Sequence, residues 1–284
     1  MKNKKIVWLA DYTTETHPGG AQITNELIIE EGRNLGFDID IVDLRNIDLH
    51  KIDTKKLYII NNISALYCEY RDKIKEIIDT TKFVRYEHDY LWLATKDYQF
   101  VRRVFKNAAG IILLSPLHKY RHEVILSMDF DSARLQPSPV ELKIKKTNKN
   151  NKAIYLGGIA EHKGINNILK YAVDHPKITI DMYGWVEKQE LIDSLPNNVN
   201  YCGILDKEEV SKELAKYSYL IHMPNWVEPF GRIIIEALFA GCELITNDKI
   251  GALSYDWIKC GKIKEIKKRL DEEKTNFWKY IETV

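Results

Sequence analysis

The sequence predicts an α/β protein with two parallel-sheet units of similar size. Three observations carry that prediction. Strand-like and helix-like segments alternate along the chain. One polar, Lys- and Asn-rich stretch, residues 143–152, interrupts the alternation and reads as a linker. A length of 284 residues, with 45% apolar and 29% charged side chains, suffices for two modest cores of ordinary soluble composition.

In chain order, KKIVWLAD (4–11) reads as a buried strand. ITNELIIEEGRNLG (23–36) reads as a helix, because Ile23, Leu27 and Ile28 share a face and Gly36 is placed to end it. DIDIVDL (38–44), KLYIINN (56–62), KFVRYEH (82–88) and GIILLSP (110–116) are further strands, and CEYRDKIKEIIDT (68–80) is a helix between them. After the linker come strand AIYLGG (153–158), helix GINNILKYAV (164–173) and strand KITIDMYG (177–184). Helix VEKQELIDSL (186–195), strand NVNYCG (198–203), helix KEEVSKELAKY (207–217) and strand YLIHM (219–223) follow. RIIIEALFA (232–240) is a helix that is apolar on all sides apart from Glu236, so burial all round is expected, and ELITND (243–248) returns to the sheet. The charged segment 262–284 is expected to be a helix packing through Ile263, Ile266, Leu270, Phe277 and Ile281. Its basic half could also make weak peripheral contact with a membrane surface. The resulting division is 1–146, 147–264, and a terminal helix, about 265–284, that can return to the first unit.

A net charge of +1 gives no strong field toward polyanions. The apolar part of the N-terminus is too short for a signal peptide or a membrane span, and a cytoplasmic location is expected. The cysteines at 68, 202, 242 and 260 are scattered and read as reduced thiols.

Open parallel sheets bind ligands beyond the carboxyl ends of their strands, and three such loops are unusual. DYTTETHPGGAQ follows the first strand, and Gly19 and Gly20 at a helix start suit either phosphate approach or a flexible turn. It is not a G-x-G-x-x-G loop, which argues against a nicotinamide enzyme. YLGGIAEHKG places Lys163 before a helix, where it could reach a phosphate or simply sit at the surface. The third loop, PNWVEPFG, leads into the apolar helix. Glu236 is expected about two turns into that helix, and a carboxylate there needs either a cation or a ligand's hydroxyl pair. On one continuous helix Glu228 would sit about 80° round from Glu236. In the loop it can instead face the same cleft. The N–H groups of Phe230, Gly231 and Arg232 would line the first helical turn.

EPFGRIIIEALFAG closely resembles the E-x7-E signature of retaining GT-B glycosyltransferases of family 4. YLGGIAEHKG and the run from Val199 to Pro224 extend the likeness over the second unit, and PGGAQ and YEHDY carry it thinly into the first. The resemblance implies two Rossmann-like domains whose parallel sheets face a central cleft. It implies transfer of a sugar from a nucleotide diphosphate sugar to an acceptor hydroxyl, with retention, and with neither a metal nor another cofactor. Glu236 would hold the ribose hydroxyls. Glu228 would lie near the transferred sugar, with Phe230 and Gly231 offering backbone donors. Lys163 would grip the diphosphate, Gly20 with Gly19 would let it approach the first domain, and His88 would contact the donor sugar. Ile204 would touch the base through its backbone. The acceptor could be a glycan, a lipid-linked glycan, a small molecule or a nucleic acid base.

One position departs from the family. Where it carries Gly-Arg, this chain has Gly157-Gly158, so half of a cationic clamp is missing unless Arg232 compensates. The rivals are another GT-B sugar-nucleotide enzyme, an epimerase or phosphorylase, and a non-catalytic sugar-nucleotide-binding protein. DFD at 129–131 has the look of a metal site but precedes a strand, and His17, His118, His122 and His162 form no trusted ligand spacing.

Overall fold

The computed structural model describes residues 5–12, 19–64, 67–142 and 147–284, with the side chains of 67, 68 and 207 left aside. The chain divides into two compact units, Met1–Pro139 with Lys268–Val284, and Val140–Lys267.

The first unit runs β1 (Lys5–Ala10), α1 (Gly20–Asn34), β2 (Asp38–Asp43), β3 (Leu57–Ile60), α2 (Tyr67–Thr80), β4 (Lys82–Tyr86), α3 (Leu91–Thr95), α4 (Tyr98–Asn107), β5 (Gly110–Leu113), α5 (Pro116–Leu126) and β6 (Arg134–Leu135). Its sheet is parallel throughout, in the order β2-β1-β3-β4-β5-β6. Ile6–Ala10, Leu57–Ile60 and Phe83–Val84 are buried, as continuous apolar strands of a sheet covered on both faces should be. The second unit runs β7 (Asn150–Leu156), α6 (Ile165–Asp174), β8 (Ile180–Tyr183), α7 (Glu190–Asp193), β9 (Val199–Tyr201), α8 (Lys207–Leu214), β10 (Tyr217–His222), α9 (Arg232–Phe239), β11 (Glu243–Thr246) and α10 (Asp256–Lys259), and α11 (Ile263–Thr283) starts in it. Its parallel sheet has the order β11-β10-β7-β8-β9. Ala153, Tyr155, Ile165, Ile168, Ile180, Met182 and Ile221 form its core.

Several expectations are corrected. The linker stretch overlaps β7, because Asn150 pairs with Tyr217 of β10 and the strand starts on that backbone pairing although its first residues are polar; residues 143–146 lie outside the described residues. The helix expected over 186–195 shortens to the single turn of α7. Helix α9 is fully buried only at Ile234, Ile235 and Ala237, so it is not enclosed all round. Ile263 is 44% exposed, whereas Ile266, Leu270, Phe277 and Ile281 of α11 are buried.

From Lys268 onward α11 belongs to the first unit. Trp278 is 1% exposed, donates from Nε1 to the Ile28 carbonyl at 2.7 Å, and stacks at a tilt on Phe37 at 4.6 Å between centroids. Phe277 lies 5.9 Å from Trp8 of β1. Arg134 closes the contact with a 2.5 Å ion pair to Glu273.

Gly32 of α1 lies under that indole, and a Cβ there would come 2.3 Å from Trp278. An exposed Gly→Ala change in a helix gains about 0.5–1 kcal/mol. Here we expect Gly32→Ala to reverse that sign and destabilise by about 1–3 kcal/mol through overpacking, read as a lower urea midpoint at unchanged slope.

Candidate functional site

In the second unit the carboxyl ends of β7 and β10 lie side by side, because these strands are neighbours in the sheet. The loop after β10 is tied down on both flanks. Asn225 Nδ2 donates to the Glu161 carbonyl at 2.7 Å, and Asn167 Nδ2 to the Met223 carbonyl at 3.0 Å. On the other side Glu228 N–H donates to Lys249 O at 2.8 Å, and Gly251 N–H to Glu228 O at 3.0 Å. Ala252 N–H donates to Phe230 O at 2.7 Å. These bonds set the loop's shape before any ligand arrives.

The Glu228 side chain, 9% exposed, is held between two groups. His222, the last residue of β10, lies 2.9 Å from Oε2 through Nε2, and Lys163 Nζ lies 3.3 Å from Oε1. A carboxylate only accepts, so the imidazole donates from Nε2. Burial pushes the Glu228 carboxyl up. The hydrogen bond and field of His222, with Lys163, more than reverse this and hold it at about 2. Lys163 also sits 4.9 Å from the centroid of the Trp226 ring. Gly231, the residue before α9, has φ +85°, and a Cβ there would come 3.0 Å from Glu228 Oε2. Glycine thus lets the chain turn into the helix without pressing on the carboxylate.

Glu236 behaves differently. It is the fifth residue of α9, about one turn in rather than two. Burial pushes its carboxyl up, and Arg232 pulls it back only in part. Their charged atoms are 3.6 Å apart, an ion pair without hydrogen-bond geometry. A cation therefore does accompany Glu236, from its own helix, with side-chain exposures of 12% and 17% for the two residues.

Among the residues singled out from the sequence, Lys163, Glu228 and Gly231 come together, and Arg232 and Glu236 form a second pair. Phe230 is buried at 3% and contributes its carbonyl to the loop bridge. Ile204 follows β9 and is 71% exposed. Gly19, Gly20 and His88 belong to the first unit. Gly19 precedes α1 in an extended conformation, φ −116°, and Gly20 opens the helix, three residues before its expected start. His88 is 5% exposed and lies 4.3 Å from the Tyr86 ring. His222, Trp226 and Trp185 were missed. A lone histidine closing an apolar strand six residues before Glu228 was the available signal for His222.

Two further clusters have structural explanations. His118 receives Leu114 N–H on Nδ1 at 3.2 Å and reaches the Asp89 carbonyl through Nε2 at 2.9 Å, and burial pushes its pKa well down. It is a neutral core imidazole, as is His122, held at about 4 by burial. Asp129 and Asp131 meet Glu123, with ligand atoms within 4.8 Å, but Lys119 is already 2.6 Å from Asp131 and 3.4 Å from Glu123. His17 lies outside the described residues. None of the described helices is long and apolar enough to cross a membrane.

Residues 140–255 match the family model "Glycosyl transferases group 1", and the match starts where the second unit starts. No curated protein sequence matches. Among solved structures, HepE from Anabaena in complex with UDP and glucose superposes with TM-score 0.66 at 16% identity, covering 88% of this chain and 82% of that one. AviGT4, a glycosyltransferase involved in avilamycin A biosynthesis, gives 0.59 at 12% identity over 95% and 88%. An alpha-glucosyltransferase in complex with UDP-glucose and DNA containing an abasic site gives 0.60 at 14% over 96% and 93%. The fold is therefore that of the GT-B glycosyltransferases. Within it, the second unit is a match to the group 1 glycosyl transferases.

The Glu228 carboxyl is depressed on folding, so its contribution is present above its ordinary value of 4.5 and lost as pH falls toward about 2. We expect the wild type to lose more unfolding free energy between pH 5 and pH 3 than Glu228→Gln does. Denaturant titrations of both proteins at the two pH values measure the difference.

Proposed function

We propose that this protein is a retaining glycosyltransferase, moving a sugar from a nucleotide diphosphate sugar to an acceptor hydroxyl. One observation carries the reading: a buried carboxylate kept ionised between His222 and Lys163, at the turn that opens α9. The family match over the same unit supports it. So do the neighbours named with UDP or UDP-glucose.

As the glycosidic bond breaks, negative charge grows on the leaving diphosphate and positive charge on the sugar. Lys163 and the N-terminal end of α9 supply positive potential for the former. Glu228, ionised at any physiological pH, orients the sugar hydroxyls and favours the oxocarbenium-like ring. Glu236, whose ion pair with Arg232 at 3.6 Å is too long for a hydrogen bond, accepts from the two ribose hydroxyls. Attack from the leaving-group face gives retention, and Lys163 with the helix end makes the reaction independent of metal. In this reading Gly19, Gly20 and His88 contact the donor, Ile204 meets the base, and the reaction takes place in the cytoplasm.

Gly158 favours a second reading, a sugar-nucleotide-binding protein without turnover, since one phosphate-side cation is absent. Thermal shift with UDP-, GDP- and ADP-sugars identifies the donor by mass action. NMR of the anomeric proton in products with glycan, small-molecule and oligonucleotide acceptors then separates the readings: retention supports transfer, and inversion or donor binding without any product overturns it.

Lys163→Ala is expected to lower kcat/KM by about 10²–10³-fold. Glu236→Ala is expected to raise the donor KM by roughly 10-fold or more through lost charge-assisted hydrogen bonds. Steady-state kinetics of both variants checks this, and wild-type constants in both would remove the assignment.

The raised carboxyl of Glu236 means that its ionised form costs folding free energy at neutral pH. Glu236→Gln should therefore raise the Tm of the free protein while weakening donor binding. Scanning calorimetry with and without donor reads both effects.

A further inference from the structure

The position that departs from the family has been filled by another residue. A Cβ on Gly158 would come 2.4 Å from Cζ2, 2.5 Å from Cε2 and 2.9 Å from Nε1 of Trp185. The indole thus occupies the space into which any side chain at 158 would grow. Trp185 is nonetheless 51% exposed, unusual for a residue that usually shelters most of its large apolar surface.

Its backbone is fixed. Ile159 N–H donates to Trp185 O at 2.8 Å and Glu187 N–H to Ile159 O at 3.0 Å, so the loops after β7 and β8 pair as a short extension of the sheet. The next loop joins them: Gly184 N–H donates to Gly203 O at 2.8 Å, and Tyr201 OH to Gly184 O at 3.1 Å. Trp185 and Ile204 each follow directly on one of these two bonded glycines. Both are exposed, at 51% and 71%. The carboxyl-end rim of β8 and β9 thus carries an aromatic and an aliphatic side chain, with Gly184 between Trp185 and β8, and Cys202 and Gly203 between Ile204 and β9. Two apolar surfaces suit a planar, weakly polar ring far better than a diphosphate.

We propose that Trp185 is a stacking platform for the nucleobase of the bound nucleotide, and that Gly158 is what gives the indole its place. Base–aromatic stacking tolerates every base, so the residue contributes affinity without choosing uracil over guanine or adenine. The proposal rests on the nucleotide-sugar reading given above. It also explains how the site can do without the missing phosphate-side cation: affinity moves from the diphosphate toward the base.

The experiment titrates UDP, GDP, ADP and inorganic pyrophosphate by calorimetry into the full chain as wild type, Trp185→Ala, Trp185→Phe, Gly158→Ala and Lys163→Ala, with Tm recorded for each. Trp185→Ala should weaken the nucleoside diphosphate that the wild type binds by roughly 10-fold or more and leave pyrophosphate unchanged. Trp185→Phe should recover most of the loss. Gly158→Ala, which displaces the indole, should show the same base-dependent loss. Lys163→Ala should weaken nucleotide and pyrophosphate alike. If a nucleotide binds the wild type and Trp185→Ala binds it equally well, or loses pyrophosphate in proportion, the platform is wrong while the functional reading stands. If the wild type binds none of the three nucleotides, the functional reading falls and the platform with it.

Discussion

The candidate site depends on keeping one carboxylate ionised where little water reaches it. An isolated buried carboxylate would take up a proton, because desolvation penalises only its charged form. Glu228 escapes this because β10 ends in His222 and because β7 is the neighbour of β10, which delivers Lys163 from a residue 65 positions away in sequence. Each member supports the others. The backbone of 228 is bonded on both sides to 249 and 251, so the main chain from which the carboxylate hangs is held in place. Gly231 then clears the room in which the helix can start.

Two glutamates eight residues apart meet opposite fates, and the difference is one of partners rather than depth. Glu228 has a hydrogen-bonding imidazole and a nearby ammonium, and its affinity for protons falls. Among the described residues Glu236 has only the guanidinium of Arg232 at 3.6 Å, too far for hydrogen bonds, and its affinity for protons rises. A carboxylate satisfied by the protein is a fixed charge. One left short of donors is a receptor. In the proposed reaction Glu228 would take the electrostatic part and Glu236 the capture of hydroxyls, because the acid with fewer donors gains most when a ligand arrives.

The parallel α/β architecture was legible because its signal is local. Apolar runs of four to six residues, such as 57–60 and 153–156, admit few alternatives, and so does a carboxylate inside IIIEALF. Helix α4 could also have been read, since Phe100, Val101, Val104 and Phe105 form one helical face. Contacts set by strand order were not legible. Nothing in YLIHM says that its histidine faces Glu228, and nothing in YGWVEK says that the indole lies over Gly158. Both depend on which strands are neighbours in β11-β10-β7-β8-β9. Where helix α7 was over-read, VEKQELIDSL has helical composition, but its first residues are committed to pairing with Ile159, and backbone pairing overrode propensity.

The Lys163–Glu228 contact bears on whether this lysine is free to act on a ligand. At 3.3 Å it is longer than a good charge-assisted hydrogen bond, and the lysine side chain keeps 28% of its surface exposed. Glu228 would still hold the shorter bond from His222 if the ammonium turned away. A diphosphate offers more negative charge than one carboxylate, so the lysine can gain there without stranding the glutamate. His222 is then what separates the two roles: with it, Lys163 can be shared between carboxylate and phosphate, and without it, drawing the lysine toward a ligand would leave a buried anion uncompensated.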